Sequence, residues 1–277
     1  MDKLFFPVRI LDREWAERFA DGEIFMRSLS EFGVWKRLKV KDDETLANSF
    51  RGDIGEGAIK NVLNAEDDEF FRLFPDELKK VIKKGKIIDN GDAQYFNILC
   101  LYCLRYDYVN RRFESPSEKI KQFGDTAVVL EDTTTFLDRL LERVERREKY
   151  AFLLNLIEYY SEDTMKPLNP FFNKSESYIW QNELRIAIGR LNEEKVLKNG
   201  KYPLIESTEP LKLYIGSLRN IVQLVPIDDF IHGTWDMSKV QFANSIRGDS
   251  PIDKAMKITS KIVSEYNPKG DGFIFDV

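Results

Sequence analysis

Residues 6–28 read FPVRILDREWAERFADGEIFMRS, and this stretch decides the fold class. Phe6 to Leu11 has the apolar, β-branched content of a strand, with Pro7 near its start. Asp12 is a good N-cap, and Arg13 to Asp21 then carries Trp15 and Phe19 at helical spacing. Gly22 is a helix stop. Glu23 to Ser28 returns to strand. One short stretch therefore holds a strand, a helix, a glycine and a second strand.

Further along, strands come both singly and separated by helices. Residues 36 to 57 are charged and glycine-rich, which predicts a long loop. Residues 65 to 84 read as mostly helical, with Phe70, Phe71, Leu73 and Phe74 apolar and Pro75 interrupting. Asp89-Asn90-Gly91-Asp92 is a turn. Tyr95 to Tyr106 reads as a strand near a sheet centre, and Thr126 to Leu130 as another. Thr133 to Thr135 can cap a helix running to about Tyr160. Asn169-Pro170 falls in a loop. Leu184, Ile186 and Ile188 alternate with Glu183, Arg185 and Ala187, as on a half-buried strand. Residues 211–216 and 221–225 add strands, and the terminal FIFDV suits an edge strand. No repeat and no linker interrupts the chain, so a single domain over 1–277 is expected. The class is α+β: a mixed, largely antiparallel sheet with flanking helices.

The 277 residues suffice for a large core without disulfide or metal staples. With 43% hydrophobic residues, 20 Phe and 11 Tyr, disorder is not expected. The net charge of −5 argues against a broadly electropositive nucleic-acid binder but leaves room for a local basic groove. The opening MDKLFFPVRILDREW has neither a long apolar core nor a small-residue cleavage site, so no secretory leader is expected. No stretch reaches the roughly 18 apolar residues of a membrane span. The expectation is a cytoplasmic chain that does not insert in membranes and for which an oligomer is compatible.

The two cysteines, Cys100 and Cys103, are spaced C-x-x-C, but on a strand they point to opposite faces, so structural thiols are expected. His232 is the only histidine and reads as a surface or capping residue in a loop after a helix. There is no P-loop, GxGxxG, HExxH or GxSxG. Three places concentrate unusual polar groups. Arg9 stands inside an apolar strand, either facing water at an edge or offering its fork to a phosphate or carboxylate. Arg51, Asp53 and Glu56 stand among three glycines, as a solvated turn or as a loop that approaches a ligand closely. Asp53 and Glu56 alone are thin support for a divalent cation, and no metal site is assigned. Trp180-x-x-Glu183-x-Arg185 puts a carboxylate and a guanidinium on one face of a strand, as an ion pair or as a working acid.

This order of elements resembles the ADP-ribosyltransferase superfamily, closest to its DarT-like and RNA 2′-phosphotransferase-like branches. The resemblance implies NAD as substrate. Arg9 would match the first-strand residue that holds NAD, Ser28 or Ser30 the second-strand residue, and Glu183 the late glutamate that acts at the ribose. The chain also resembles a broad uncharacterised bacterial and phage family with a late W-x-x-E-x-R-I strand. There is no Ser-Thr-Ser motif and no Glu-x-Glu pair.

The leading expectation is an NAD-dependent ADP-ribosyltransferase or NAD hydrolase of a toxin or phage-defence kind. In it Glu183 acts at the ribose, Arg9 holds the pyrophosphate, and Phe32 or Trp180 stacks on nicotinamide. Ser28, Ser30, Arg51 and Arg185 complete the binding set. A rival is a phage or mobile-element (anti-defence) inhibitor or sensor that binds a nucleotide or a protein without turnover. A third is a metal-dependent nuclease or phosphohydrolase using Asp53, Glu56 and Glu183.

Overall fold

The computed structural model describes residues 3–29, 58–62, 85–88, 95–107, 109–145, 150–161, 163, 168–169, 171–191, 204–205 and 209–240. The expected 36–57 loop, the 65–84 helix, the 89–92 turn and the FIFDV strand lie outside these, apart from the short strands at 58–62 and 85–88. The chain divides into two compact units. The first comprises residues 1–28, 95–156 and 180–277. The second comprises residues 29–94 and 157–179.

The first unit is α+β, built on a ten-stranded sheet. Its strands are β1 (Lys3–Leu11), β2 (Glu23–Ser28), β5 (Phe96–Asp107), β6 (Arg112–Phe113) and β7 (Thr126–Leu130). To these it adds β8 (Tyr150–Leu156), β11 (Glu183–Leu191), β12 (Leu204–Ile205), β13 (Leu211–Tyr214) and β14 (Val222–Pro226). The backbone order is β12-β11-β5-β1-β7-β14, with β8 against β11 and the β2–β13 pair joined to β5. Each of these ladders is antiparallel.

Helices α1 (Arg13–Ala20) and α2 (Thr133–Glu145) supply Phe19, Phe136, Leu137 and Leu140 to one core cluster with Leu99, Leu101, Val128 and Ile186. The Phe19 and Phe136 rings stack at 5.9 Å. A second cluster joins Phe6, Val8, Ile10, Leu104 and Val129 to Phe230 and Ile231 of helix α3 (Ile227–His232). Ile120, from the 3-10 turn Glu118–Phe123, completes it. Even- and odd-numbered residues of β1 and β5 thus go to separate clusters, as strand alternation requires. Trp15 departs from its expected place beside Phe19: it is 39% exposed.

Pro7 sits on an inner strand at no cost in hydrogen bonds. Cys103, which faces it, donates its N–H to the Asn182 carbonyl on the far side. Pro7 therefore occupies a non-hydrogen-bonded position of the β1–β5 ladder. The β1–β7 ladder on its other side starts only at Val8.

The expected long helix to Tyr160 is wrong from Tyr150 onward: residues 150–156 form β8 and residues 158–160 form β9. The run Ala151 to Leu154 is apolar at consecutive positions, and all four residues are buried. That is the signature of a strand covered on both faces, and a one-sided helix has no use for it. The second unit contains β9 (Glu158–Tyr160) parallel to β10 (Asn173–Ser175), and β3 (Ala58–Val62) antiparallel to β4 (Gly85–Ile88). Ahead of β10, Asn169 Oδ1 accepts from Phe171 N at 2.9 Å.

Among the described residues, no helix is long and apolar enough to cross a membrane. His232 ends α3, is exposed, and its Nδ1 lies 2.8 Å from the Asp228 carbonyl oxygen.

Candidate functional site

β11 lies between β5 and β8, with Glu183 opposite Tyr102 and Arg185 opposite both Cys100 and Asn155. Directly opposed residues of an antiparallel pair share a face. Glu183, Arg185, Tyr102 and Cys100 therefore lie on one side of the sheet. Leu184, Ile186 and Ile188 lie on the other, in the first core cluster. The strand is not half-buried as its alternation suggested. Arg185 is 0% exposed, Glu183 5% and Ala187 0%, because neighbouring strands flank β11 on both edges and both its faces are covered.

Arg185 Nε donates to Glu183 Oε1 at 2.8 Å. Two charges taken from water cost several kcal/mol each, by rough estimate, and their mutual attraction does no more than offset this. Apolar residues of the same size would hold the sheet at least as well. A pair kept in such a place marks a candidate site.

The entry to β11 is fastened by one residue. Asn182 has φ +39, a left-handed value that asparagine tolerates better than most side chains. Its carbonyl accepts from Cys103 N at 2.7 Å. Its Nδ2 donates to the Cys103 carbonyl, and its Oδ1 accepts from Arg105 Nε at 2.8 Å. Three polar groups of β5 are thus satisfied at the residue before Glu183, which fixes where that carboxylate emerges. Gln181, one residue earlier, is 5% exposed, and its buried Nε2 has no hydrogen-bond partner among the described residues. A buried donor left in this state costs about 1–3 kcal/mol, so it is a second sign of a site. Sequence reasoning missed Gln181 and Asn182. The signal was available in Trp180-Gln181-Asn182-Glu183, an unbroken polar triplet entering an apolar strand.

The surroundings keep other groups neutral. Burial pushes the Cys103 thiol up to about 12, a rise opposed by Arg105 and reinforced by the Glu183 charge. Burial also pushes the Tyr102 hydroxyl up to about 12. Both groups bind their proton more tightly folded than unfolded. The stability they confer is fully present below the unfolded values, 9.0 for the thiol and 10.0 for the phenol, and is lost as pH rises toward about 12. The melting temperature is expected to fall steadily from about pH 9 upward, and Cys103→Ala to flatten that slope whatever its effect at neutral pH. An unchanged slope in the variant would contradict the burial of this thiol. Both cysteines are free, with Cys103 buried and Cys100 half-buried, and they point to opposite faces as expected.

The other expected site residues separate. Arg9 is one position out of register with Val8, which faces Tyr102, so it starts from the opposite side of the sheet to Glu183. Its Nη1 donates to the Cys100 carbonyl. That carbonyl lies where β5 changes partner, from β1 at Tyr102 to β2 at Ile98, and Arg9 fills the seam. Ser28 is 1% exposed, faces Asn97, and shares the side of Met26 and Leu99. Trp180 stacks on Phe123 at 5.6 Å, with Lys119 Nζ 5.9 Å from its ring. The structure thus brings Glu183 and Arg185 together, with Tyr102 beside them and Gln181 and Asn182 adjoining, and sets Arg9 and Ser28 on the other face. Ser30, Phe32, Arg51, Asp53 and Glu56 lie outside the described residues. Within the second unit, Lys174 is 3% exposed with its Nζ 5.3 Å from the Tyr178 ring, a buried cation that no sequence pattern announced.

Among the described residues no group of three His, Cys, Asp or Glu side chains could hold a metal ion. The chain matches no family model, no curated protein and no solved structure.

Proposed function

We propose that the protein is an enzyme of ADP-ribosyl transfer or NAD hydrolysis in which Glu183 is the working carboxylate. The observation that carries this reading is the Glu183–Arg185 pair, held at 2.8 Å inside a sheet that would be at least as stable without it. The resemblance in element order supplies the reaction class. Arg185 holds the carboxylate oriented, and the Asn182 clamp fixes the backbone behind it.

In the proposed step the bond between nicotinamide nitrogen and ribose C1′ breaks. Nicotinamide leaves with the bonding pair. Positive charge develops on the ribose, and the fixed carboxylate stabilises it. Water or an acceptor hydroxyl then attacks C1′ and releases a proton. Gln181 Nε2 is a donor ready for an oxygen of the same substrate. The second-strand and first-strand roles expected of Ser28 and Arg9 are not part of this proposal, since both begin from the opposite face.

The test is nicotinamide release from NAD by the full chain. Wild type should turn over, and Glu183→Gln, which keeps size and an acceptor for Arg185, should be slower by at least about 100-fold. NAD should still raise the melting temperature of the variant, by the stabilisation that any ligand of the folded state confers. Full turnover in Glu183→Gln would remove Glu183 from the chemistry. If the wild type gave no nicotinamide release and NAD did not shift its melting temperature, the NAD reading itself would be overturned.

A further inference from the structure

The β2–β13 strand pair has an outward row that the first core cluster does not use. Ile24, Met26 and Ser28 are buried, while Glu23 and Phe25 are half-buried and Arg27 is exposed. Register places Lys212 opposite Phe25 and Tyr214 opposite Glu23. Lys212 is exposed and Tyr214 is 62% exposed.

From α1, the half-exposed Trp15 brings its ring to 5.9 Å from Phe25, tilted by 36°. Three cations interleave with these rings. Arg18 lies 4.6 Å from the Trp15 centroid. Arg27 and Lys212 lie 5.8 Å and 5.7 Å from that of Phe25. Glu23 is the row's carboxylate and pairs with Arg18 at 3.2 Å. Three cations against one carboxylate leave these residues two charges positive, on a chain whose net charge is −5.

We propose that this row is a docking surface for a single-stranded nucleic acid. Exposed aromatic faces stack on unpaired bases, and cations between them track the phosphates. Trp15 and Tyr214 are the stacking platforms. Phe25 is the floor that holds Arg27 and Lys212 by cation–π contact. Charge complementarity selects a polyanion, and the exposed parts of the Trp15 and Tyr214 rings select one whose bases are unstacked. A duplex hides those base faces, and an acidic peptide leaves the rings without partners. The proposal does not depend on the NAD reading, because no residue of the row belongs to the Glu183 site.

The test is fluorescence anisotropy of the full chain with labelled oligo(dT) and oligo(U) of about 12 nucleotides, beside a duplex of equal length. With Arg27 and Lys212 as the phosphate contacts, log affinity should fall with log salt at a slope of about −1.4, or about sevenfold between 50 and 200 mM. Trp15→Ala and Tyr214→Ala should each weaken binding at least about fivefold. Lys212→Gln should reduce the slope by about 0.7. A preference for oligo(dT) or for oligo(U) would support the proposal and name the sugar. Equal or tighter duplex binding would overturn it, as would equal competition by polyglutamate. Failure of both single strands to bind at low salt, or binding indifferent to all three substitutions, would overturn it too. All three positions are exposed, so unchanged circular dichroism will confirm folding.

Discussion

Glu183→Ala is expected to cost about 3–5 kcal/mol of stability, because it removes the carboxylate that lies 2.8 Å from the guanidinium of Arg185, which is 0% exposed. Against a typical total of about 5–15 kcal/mol this is a large fraction of the fold. Arg185→Met alone is expected to be costly for the mirror reason, leaving a carboxylate buried at 5% exposure. The double variant Glu183→Leu/Arg185→Met should recover the whole of the loss, since leucine and methionine fill similar volumes and carry no charge to desolvate. Urea denaturation of wild type, Glu183→Leu, Arg185→Met and the double variant closes the cycle. The expected coupling is several kcal/mol, as a rough figure, because each single change breaks the same buried ion pair. A Glu183→Ala penalty under about 1 kcal/mol would mean that the pair is solvated, and the physical basis of the site would go with it. The double variant also separates the two roles of Glu183. It should fold and bind oligo(dT) like wild type while releasing no nicotinamide.

Local signals read the first unit well where tertiary context left them alone. Residues 6–28 gave strand, helix, glycine and strand within a few residues of the observed ends, because Asp12, Gly22 and the apolar runs act within one turn or one pleat. Thr126 to Leu130 was read correctly for the same reason. The reading failed at Tyr150 to Tyr160, where a helix in progress was extended into a segment that only its partner β11 makes a strand. Pairing between residues 28 to 40 positions apart has no local signature.

The site followed the same division. Glu183 and Arg185 stood out because two charges alternate with Leu184 and Ile186. Their complete burial did not, since it depends on the strands flanking β11 and on what covers its two faces. Arg9 and Ser28 were associated with Glu183 by order along the chain. Order says nothing of faces, and a single residue of register decides them. Val8, not Arg9, is in line with Tyr102 and Glu183.

The turn that follows α1 gives the second large effect, in a contrast between two glycines. Gly22 has φ +97, and a Cβ there would stand 2.1 Å from the Gly216 carbonyl oxygen. The approach is held by two backbone bonds, Ile215 N to Gly22 O at 3.1 Å and Leu218 N to Ala20 O at 2.8 Å, so neither backbone can step aside without losing them. Gly216 also has a positive φ, +80, but a Cβ on it meets nothing within 4 Å. Gly216→Ala should therefore cost only the left-handed conformation, about 1–2 kcal/mol. Gly22→Ala carries the same conformational cost, an overlap that must displace backbone, and the hydrogen bonds lost when it does. At about 1 kcal/mol or more for each further contribution, it should exceed about 3 kcal/mol. Thermal denaturation of the two variants side by side measures the difference. Equal penalties would show that the α1–β2 turn and the segment after β13 do not meet backbone to backbone. The expected inequality would tie the strand that opens the fold to the strand that borders it, through a contact that only glycine permits.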